Sequence, residues 1–464
     1  MFSRLTALLC TTLALTAPVR AENPIVQTNF TADPAPLVHR GVVYLYTSHD
    51  EDDAKGFKMR DWRLYTSRDM SNWTDRGVVA SLATFPWANQ HNDAWAPQVV
   101  ERHGRFYLYV PVTVPGTAPG EPRNVIAVAV ADRPEGPFKD ALGKPLIDRG
   151  HGFFDPTVWI DDDGQAYLYW GNPSLWYVRL NEDMVSYSGE ITKVANIPRN
   201  YQEGPWFYKR QGRYYMAYAS TCCPEGIGYA MSDSPTGPWV YRGNLMDGNR
   251  NSNGNHPGIV EFEGQAYLFG FNYNLNFADT PLHRERRSVT VTRLDYRPDG
   301  SVDLLPWWDD VGVPPLHPLS PYERVEAETI AWTSRLKRVE DRSIYWAPGI
   351  KTAHSEAVGM YVTRISDRDY IKVNGVDFGP RGAARFVANV ASDLDGGQIE
   401  LRLDSPDGPH LGTLTIARTG GGDRWQQQSV PVAGATGQHD LYLIFHGRGE
   451  PTLFNFDHWR FERR

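Results

Sequence analysis

Five times along the chain a turn glycine opens an apolar, aromatic run: GVVYLY from Gly41, GRFYLY from Gly104, GQAYLY from Gly164, GRYYMA from Gly212 and GQAYLF from Gly264. The starts lie 63, 60, 48 and 52 residues apart. Runs so rich in Val, Tyr, Leu and Phe favour a pleated strand. Ahead of each glycine stands a proline: Pro34, Pro97, Pro156, Pro205 and Pro257. Between the two runs a short apolar stretch, such as PQVVERHG or PTVWIDDDG. Proline is tolerated at the first residue of a strand, where no ladder hydrogen bond is lost. Each copy therefore reads as strand, turn and second strand. The segments TSRDMSNW, ADRPEGPF and MSDSPTGPW supply a further turn and outer strand in most copies.

No stretch keeps a helical period. Five copies of about fifty residues, each a small antiparallel sheet, predict a five-bladed β-propeller over residues 22–312. A β-sandwich does not account for a repeat of that length. The proline-rich stretch DLLPWWDDVGVPPLHPLSP breaks the pattern, and residues 313–321 read as a linker. From 322 to 464 short alternating runs with Gly and Asp turns (YIKVNGVDFG, ARFVANVAS, QIELRLDSPDG, HDLYLIFHG) predict a β-sandwich of jelly-roll type. The whole chain is expected to be all-β.

In a propeller the first strand of every blade lines the central axis. The residues just before the five prolines then converge: Asp33, Ala96, Asp155, Gly204 and His256, with Glu203 one step further back in the fourth copy. Three carboxylates and a histidine reach one cavity. Asp-Pro is a common turn opener, so one such acid alone means little; three at matching repeat positions point to chemistry. Two carboxylates across a cleft are the equipment for breaking a glycosidic bond, one as base and one as proton donor. A third can keep the donor protonated by like-charge repulsion, and burial near Phe153, Phe154, Trp159, Trp206 and Phe207 raises a carboxyl pKa. Spacing alone does not say which acid plays which part.

At 464 residues the chain is long enough for two cores. A net charge of −8 without a basic cluster argues against a nucleic-acid partner. The 15 Trp and 24 Tyr suit a protein that stacks on sugar faces. At the N-terminus Arg4, the apolar run Leu5–Ala17 and the small-x-small pattern Val19-Arg20-Ala21 read as a signal peptide over 1–21. The mature chain is then secreted or periplasmic. No later apolar run is long enough for a membrane span. Cys10 leaves with the leader, and the adjacent Cys222 and Cys223 form either a vicinal disulfide or two free thiols.

The segments TADPAP, HNDAWAP, FFDPTVW, QEGPWFYKR, GIGYAMSDSPTGPW and NHPGIVEFEGQAYLF resemble, in order, the signature segments of glycoside hydrolase family 43. The resemblance implies an inverting enzyme on a five-bladed propeller. It implies Asp33 as the general base, Glu203 as the general acid and Asp155 as the residue that tunes and orients that acid. An inverting pair stands about 6.5–9.5 Å apart. His256 matches a family histidine associated with a calcium ion through water, where a hydrogen-bonded core histidine is the competing view. Arg287, in RERRSVTV, matches an arginine that reaches the active site, where a solvated arginine is the competing view. Trp95, Asp93, Phe154, Trp206 and Arg287 are the substrate-binding candidates; Trp95 would form an aromatic wall, and Asp93 would bond a hydroxyl or cap a turn. LYTSHDEDD and DMSNWTDRG resemble arabinofuranosidases and xylosidases, so exo-acting release of arabinofuranose or xylose from plant cell wall glycans is expected. The alternatives are a non-catalytic sugar-binding propeller, a galactofuranosidase, and a fructan-processing hydrolase that uses a nucleophile, with carboxylates about 5 Å apart.

In the C-terminal part RVEAE, VDFGPRGAARFVANVAS and LFNFDHWRF resemble a family 6 carbohydrate-binding module. The resemblance implies a structural calcium on Glu326, Glu328 and Asp457. Residues two apart on a strand share a face, and oxygen ligands suit calcium. In TGGGDRWQQQ, Gly422 and Asp423 stand near the place of one cleft aromatic and Trp425 matches a core Trp; Arg364 replaces the other aromatic, and Asn455 fits the polar contact. The module is expected to buttress the propeller rather than to bind glycan strongly.

Overall fold

A computed structural model describes residues 23–116, 122–148, 152, 154–249, 252–334, 349–448 and 452–464. The expected leader, with Cys10, and Phe153 lie outside the described residues. Strands follow one another as antiparallel meanders. The first sheet holds β1 (Phe30–His39), β2 (Val42–Asp50), β3 (Met59–Ser67) and β4 (Trp73–Ser81). The second holds β5 (Gln98–Arg102), β6 (Arg105–Pro115), β7 (Pro122–Ala131) and β8 (Lys139–Asp140). The third holds β9 (Thr157–Ile160), β10 (Ala166–Trp170), β11 (Trp176–Leu180) and β12 (Tyr187–Lys193). The fourth holds β13 (Tyr201–Arg210), β14 (Arg213–Ser220), β15 (Ile227–Ser232) and β16 (Val240–Met246). The fifth holds only β17 (Gly258–Phe262), β18 (Gln265–Asn272) and β19 (Ser288–Leu294).

The repeat glycines 41, 104, 164, 212 and 264 all turn with φ between 72° and 83°, which explains why that position of the pattern is never another residue. The first strands touch in series, β1 to β5, β5 to β9, β9 to β13 and β13 to β17, and β17 touches β1. That closed series is the five-bladed ring. The N-terminal segment completes it. Ile25 N–H donates to the Val289 carbonyl (2.9 Å), and the Asn23 side chain bonds both backbone groups of Val291 (3.0 Å each). The fifth blade so takes its outer edge from the start of the chain.

The prolines divide into two cases. β5, β9 and β17 begin just after Pro97, Pro156 and Pro257, as the pattern predicts. β1 and β13 begin earlier and run through Pro34 and Pro205, and their pairing slips between Ala32 and Ala35 and on both sides of Glu203. A bulge removes the ladder bond that a proline cannot make, and it re-aims the neighbouring side chain.

The C-terminal strands are β20 (Val325–Glu326), β21 (Thr329–Ile330), β22 (Trp332–Thr333), β23 (Lys351–Ser355), β24 (Gly359–Thr363), β25 (Tyr370–Asp377), β26 (Ala383–Ser392), β27 (Gly397–Leu403), β28 (His410–Ile416), β29 (Gly421–Pro431), β30 (Gln438–His446) and β31 (Asn455–Arg463). Two sheets, β23-β24-β31-β26-β29 with β20 beside β31, and β22-β25-β30-β27-β28, enclose a core of Phe386, Phe456, Trp459, Phe461 and Leu443. β21 belongs to neither sheet. It pairs with β4 and gives the first blade a fifth strand. Asn374 and Asn72 exchange backbone and side-chain bonds (2.8 and 3.0 Å), and Thr352 Oγ1 donates to Asp75 Oδ2 (2.6 Å). The helices include the 3-10 turn Leu82–Thr84 and α1 (Asn274–Asp279), and no helix among the described residues is long and apolar enough to cross a membrane.

Candidate active site

One cavity on the propeller axis is lined by Asp33, Ala96, Asp155, Gly204 and His256, each with the proline that follows it. The five repeat positions meet there. Asp33 and Asp155 hold left-handed backbones, φ 51° and 56°. Aspartate tolerates that region better than most residues, and such strain gathers at functional sites. The fourth repeat has Gly204 at φ 56°. A Cβ built there would lie 2.5 Å from the His256 ring. No side chain fits, so the acid of this blade comes from Glu203, one residue back on the bulge.

His256 is the hub. Its Nδ1 lies 3.2 Å from Asp33 Oδ1, and its Nε2 lies 3.6 Å from Asp155 Oδ2 and 3.8 Å from Glu203 Oε1. Burial opposes its charge, yet Asp155, then Asp33 and Glu203, outweigh the penalty and push its pKa up to about 10. At neutral pH an imidazolium stands among three carboxyl groups. The Asp155 pKa is pushed up to about 7, first by burial and then by the charges of Glu203 and Asp33, against the pull of His256. The Gly204 N–H donates to Asp155 Oδ2 (3.2 Å).

Asp33 is gripped from two other sides. Ser48 Oγ donates to its Oδ2 (2.5 Å) and Arg287 Nη1 to its Oδ1 (2.9 Å). Arg287, 2 % exposed, is itself forked onto Asp50, with Nε and Nη2 both at 3.0 Å. The arginine thus reaches the site and is not solvated. Glu203 is the most accessible of the three acids, and Asn172 Nδ2 donates to its Oε2. Gln202 Nε2 in turn holds Asn172 Oδ1 (2.9 Å).

The other expected residues divide. Trp95 and Phe154 stack face to face, with ring centroids 5.1 Å apart, and both are half-buried, outside the lining of the axial cavity. Trp206 lines the cavity but is buried, with Nε1 donating to the Ile259 carbonyl (2.8 Å), so it is wall and core at once. The Asp93 carboxylate is engaged by the side chains of Thr113 (Oγ1, 2.9 Å) and Asn89.

The expected calcium set does not assemble. Arg324 lies between Glu326 and Asp457, at 2.8 and 3.0 Å, and is itself the cation there. Glu328 is buried in a pocket with Tyr65, Trp73 and Asp75 of the first blade, and its Oε2 has no hydrogen-bond partner among the described residues. The reason is topological: the chain leaves the module's sheet after Glu326 to pair with β4, so Glu328 faces the propeller. Trp425 is also not in the core; it stands half-buried, edge-on to Tyr361. Asp155, Glu203 and His256 do offer ligand atoms within 4.8 Å of one another, as do His49, Glu51 and Asp61.

Ser48, Asp50, Asn172 and Glu225 carried no expectation. Ser48 and Asp50 are two apart at the end of an apolar run, a spacing that puts both on the face toward Asp33. The Cys222 and Cys223 sulfurs are in contact, as a vicinal disulfide requires.

The model of the glycosyl hydrolases family 43 matches residues 21–302. The chain belongs to that family. The carbohydrate binding module (family 6) matches residues 340–463. An arabinoxylan arabinofuranohydrolase of Bacillus subtilis (strain 168) is 32% identical over 95% of this chain and 92% of its own length. A xylosidase/arabinosidase of Bacteroides ovatus is 30% identical and covers 60% of this chain and 95% of its own. The crystal structure of a family 43 arabinoxylan arabinofuranohydrolase from Bacillus subtilis, in complex with cellotetraose, superposes with a TM-score of 0.80 at 32% identity, over 96% of this chain and 99% of that one. The likeness to the Bacillus subtilis arabinoxylan arabinofuranohydrolase spans propeller and module together.

Proposed function

We propose that this family 43 hydrolase is an inverting, exo-acting α-L-arabinofuranosidase that removes arabinofuranose from arabinoxylan-type glycans. The observation that carries the reading is the ring of Asp33, Asp155 and Glu203 around one imidazolium. Asp33, held by Arg287 and Ser48, takes a proton from the water that attacks the anomeric carbon. Glu203, reachable from the mouth, gives a proton to the departing oxygen. Asp155 stands within 4.8 Å of Glu203 and adjusts the charge that Glu203 meets. A whole imidazole separates base from acid, with Asp33 on Nδ1 and Glu203 on Nε2. That separation supports single displacement by water over attack by a nucleophile.

A calcium ion held through water at His256 would add positive charge at the channel; the proton transfers need only the groups named. The similarity to a xylosidase/arabinosidase supports β-xylosidase activity as a second reading, since pocket loops set the sugar on this fold. The leader-like N-terminus supports export, and the mature protein should then begin at Glu22. Purified protein is to be assayed on nitrophenyl arabinofuranoside, xyloside and galactofuranoside and on arabinoxylan. Release of arabinose supports the proposal; xylose release alone favours the second reading, and turnover of none of these refutes both.

A further inference from the structure

A fourth carboxylic acid lies beside the site and has no part in the steps above. Glu225 sits in the loop between β14 and β15 and is 1 % exposed. Its Oε2 accepts the Asn255 N–H at 2.8 Å, the peptide just before His256. The two segments are stitched again one step away. The Glu225 N–H donates to the Ser252 carbonyl (3.2 Å), and Ser252 Oγ donates to the Glu225 carbonyl (2.5 Å). The Asn255 side chain is fully buried, and neither of its polar atoms has a hydrogen-bond partner among the described residues. It cannot anchor the turn, so the Glu225 carboxylate does. The His256 ring itself packs on Gly204, where no Cβ fits. The imidazole that spaces Asp33, Asp155 and Glu203 is therefore clamped between a glycine and a turn tied down by Glu225.

We infer that Glu225 is a positioning residue of the same reaction, one that sets the place of His256 through the Asn255 peptide; the inference rests on the hydrolase reading. The hydrogen bond is the functional element. Glutamine keeps an acceptor oxygen at the same reach. Alanine leaves the Asn255 N–H buried and unpaired. Aspartate keeps the charge but withdraws it by one methylene. Misplacing a catalytic group by about 1 Å can cost about a hundredfold in rate. The pKa of Glu225 is pushed up to about 7 by burial and by the charge of Glu203, so replacing the carboxyl with a neutral amide is a mild change near neutral pH.

The test compares Glu225→Gln, Glu225→Asp and Glu225→Ala on whichever nitrophenyl glycoside the wild-type enzyme hydrolyses, with kcat and KM measured separately and folding checked by thermal melting. The wild-type assay guards the hydrolase reading; a wild-type protein inert on every glycoside refutes that reading, not the role of Glu225. The expected result is a kcat lowered about tenfold to a hundredfold in Glu225→Ala and Glu225→Asp, with KM within about threefold of wild type and Glu225→Gln within about threefold in both constants. If Glu225→Ala does not fold, the contrast between Glu225→Asp and Glu225→Gln decides. A folded Glu225→Asp or Glu225→Ala with wild-type kcat overturns the inference, as does a Glu225→Gln as slow as Glu225→Asp.

Discussion

Around the axis, what each side chain does follows from the few groups that it touches. Asp33 and Glu203 are assigned proton transfers, and general acid–base groups are worth about 10²–10⁴ in rate. Asp33→Ala and Glu203→Ala should each lose about that much kcat, and Asp33→Ala should also melt lower, because it leaves the buried Arg287 and His256 without one of their partners; a folded variant with a near-normal rate on the true substrate would remove its residue from the mechanism. Gly204 carries two constraints at once, its φ of 56° and the His256 ring at 2.5 Å from any Cβ. Gly204→Ala should therefore lower both activity and melting temperature, whereas Gly41→Ala, in an open turn, should cost only stability. The pH dependence follows from His256. Its folded pKa is raised from 6.5 to about 10, so its ion pairs contribute stability in full below pH 6.5 and lose it as pH rises through about 10. Asp155, raised from 3.8 to about 7, has the same sign over the lower window, pH 4 to 7. The melting temperature should fall from pH 6.5 to 10, and less steeply in His256→Gln; a flat profile would mean that the imidazole is neutral in the fold.

At the scale of elements the informative piece is β21, two residues long. It carries the module into the propeller's first blade, where Thr74 and Thr329 hydroxyls meet at 2.8 Å and Asp75 is shared by Arg63 and Thr352. A chain cut after Pro321 would leave the β4 edge open and bare the buried polar groups of Asn72 and Asp75. Its melting temperature should fall by more than about 5 °C relative to the full chain. An unchanged melting temperature would mean that the two domains merely abut. Glu328 belongs here as well. Burial holds its pKa well above the usual carboxylate range, so it contributes stability below about pH 4.5 and loses it as pH rises. Glu328→Gln should melt higher than wild type at pH 8 and nearly alike at pH 4.

For the whole molecule, the ring of five blades puts acids from three of them on one axis, and the segment ahead of β1 completes the fifth blade. The stereochemistry of the product is the global test. Proton NMR of the first sugar released should show the anomer opposite to that of the substrate; retention would place the two carboxylates in the wrong roles. The repeat, the five glycine turns, the sandwich beyond 322 and the convergence of Asp33, Asp155 and Glu203 were all legible in the amino-acid order, because strand period and turn chemistry are local properties repeated in register. That Glu326, Glu328 and Asp457 do not come together was not legible, because a two-residue strand pairs across domains and turns Glu328 away. Nor were Asp50, Asn172 and Glu225, which stand among ordinary polar loop residues and acquire a role only from what packs beside them. The chain alone thus determined the blades and which acids face the axis. Only the tertiary structure decided that a histidine cation holds those acids apart, since charge balance in a buried site depends on distances between segments far apart in sequence.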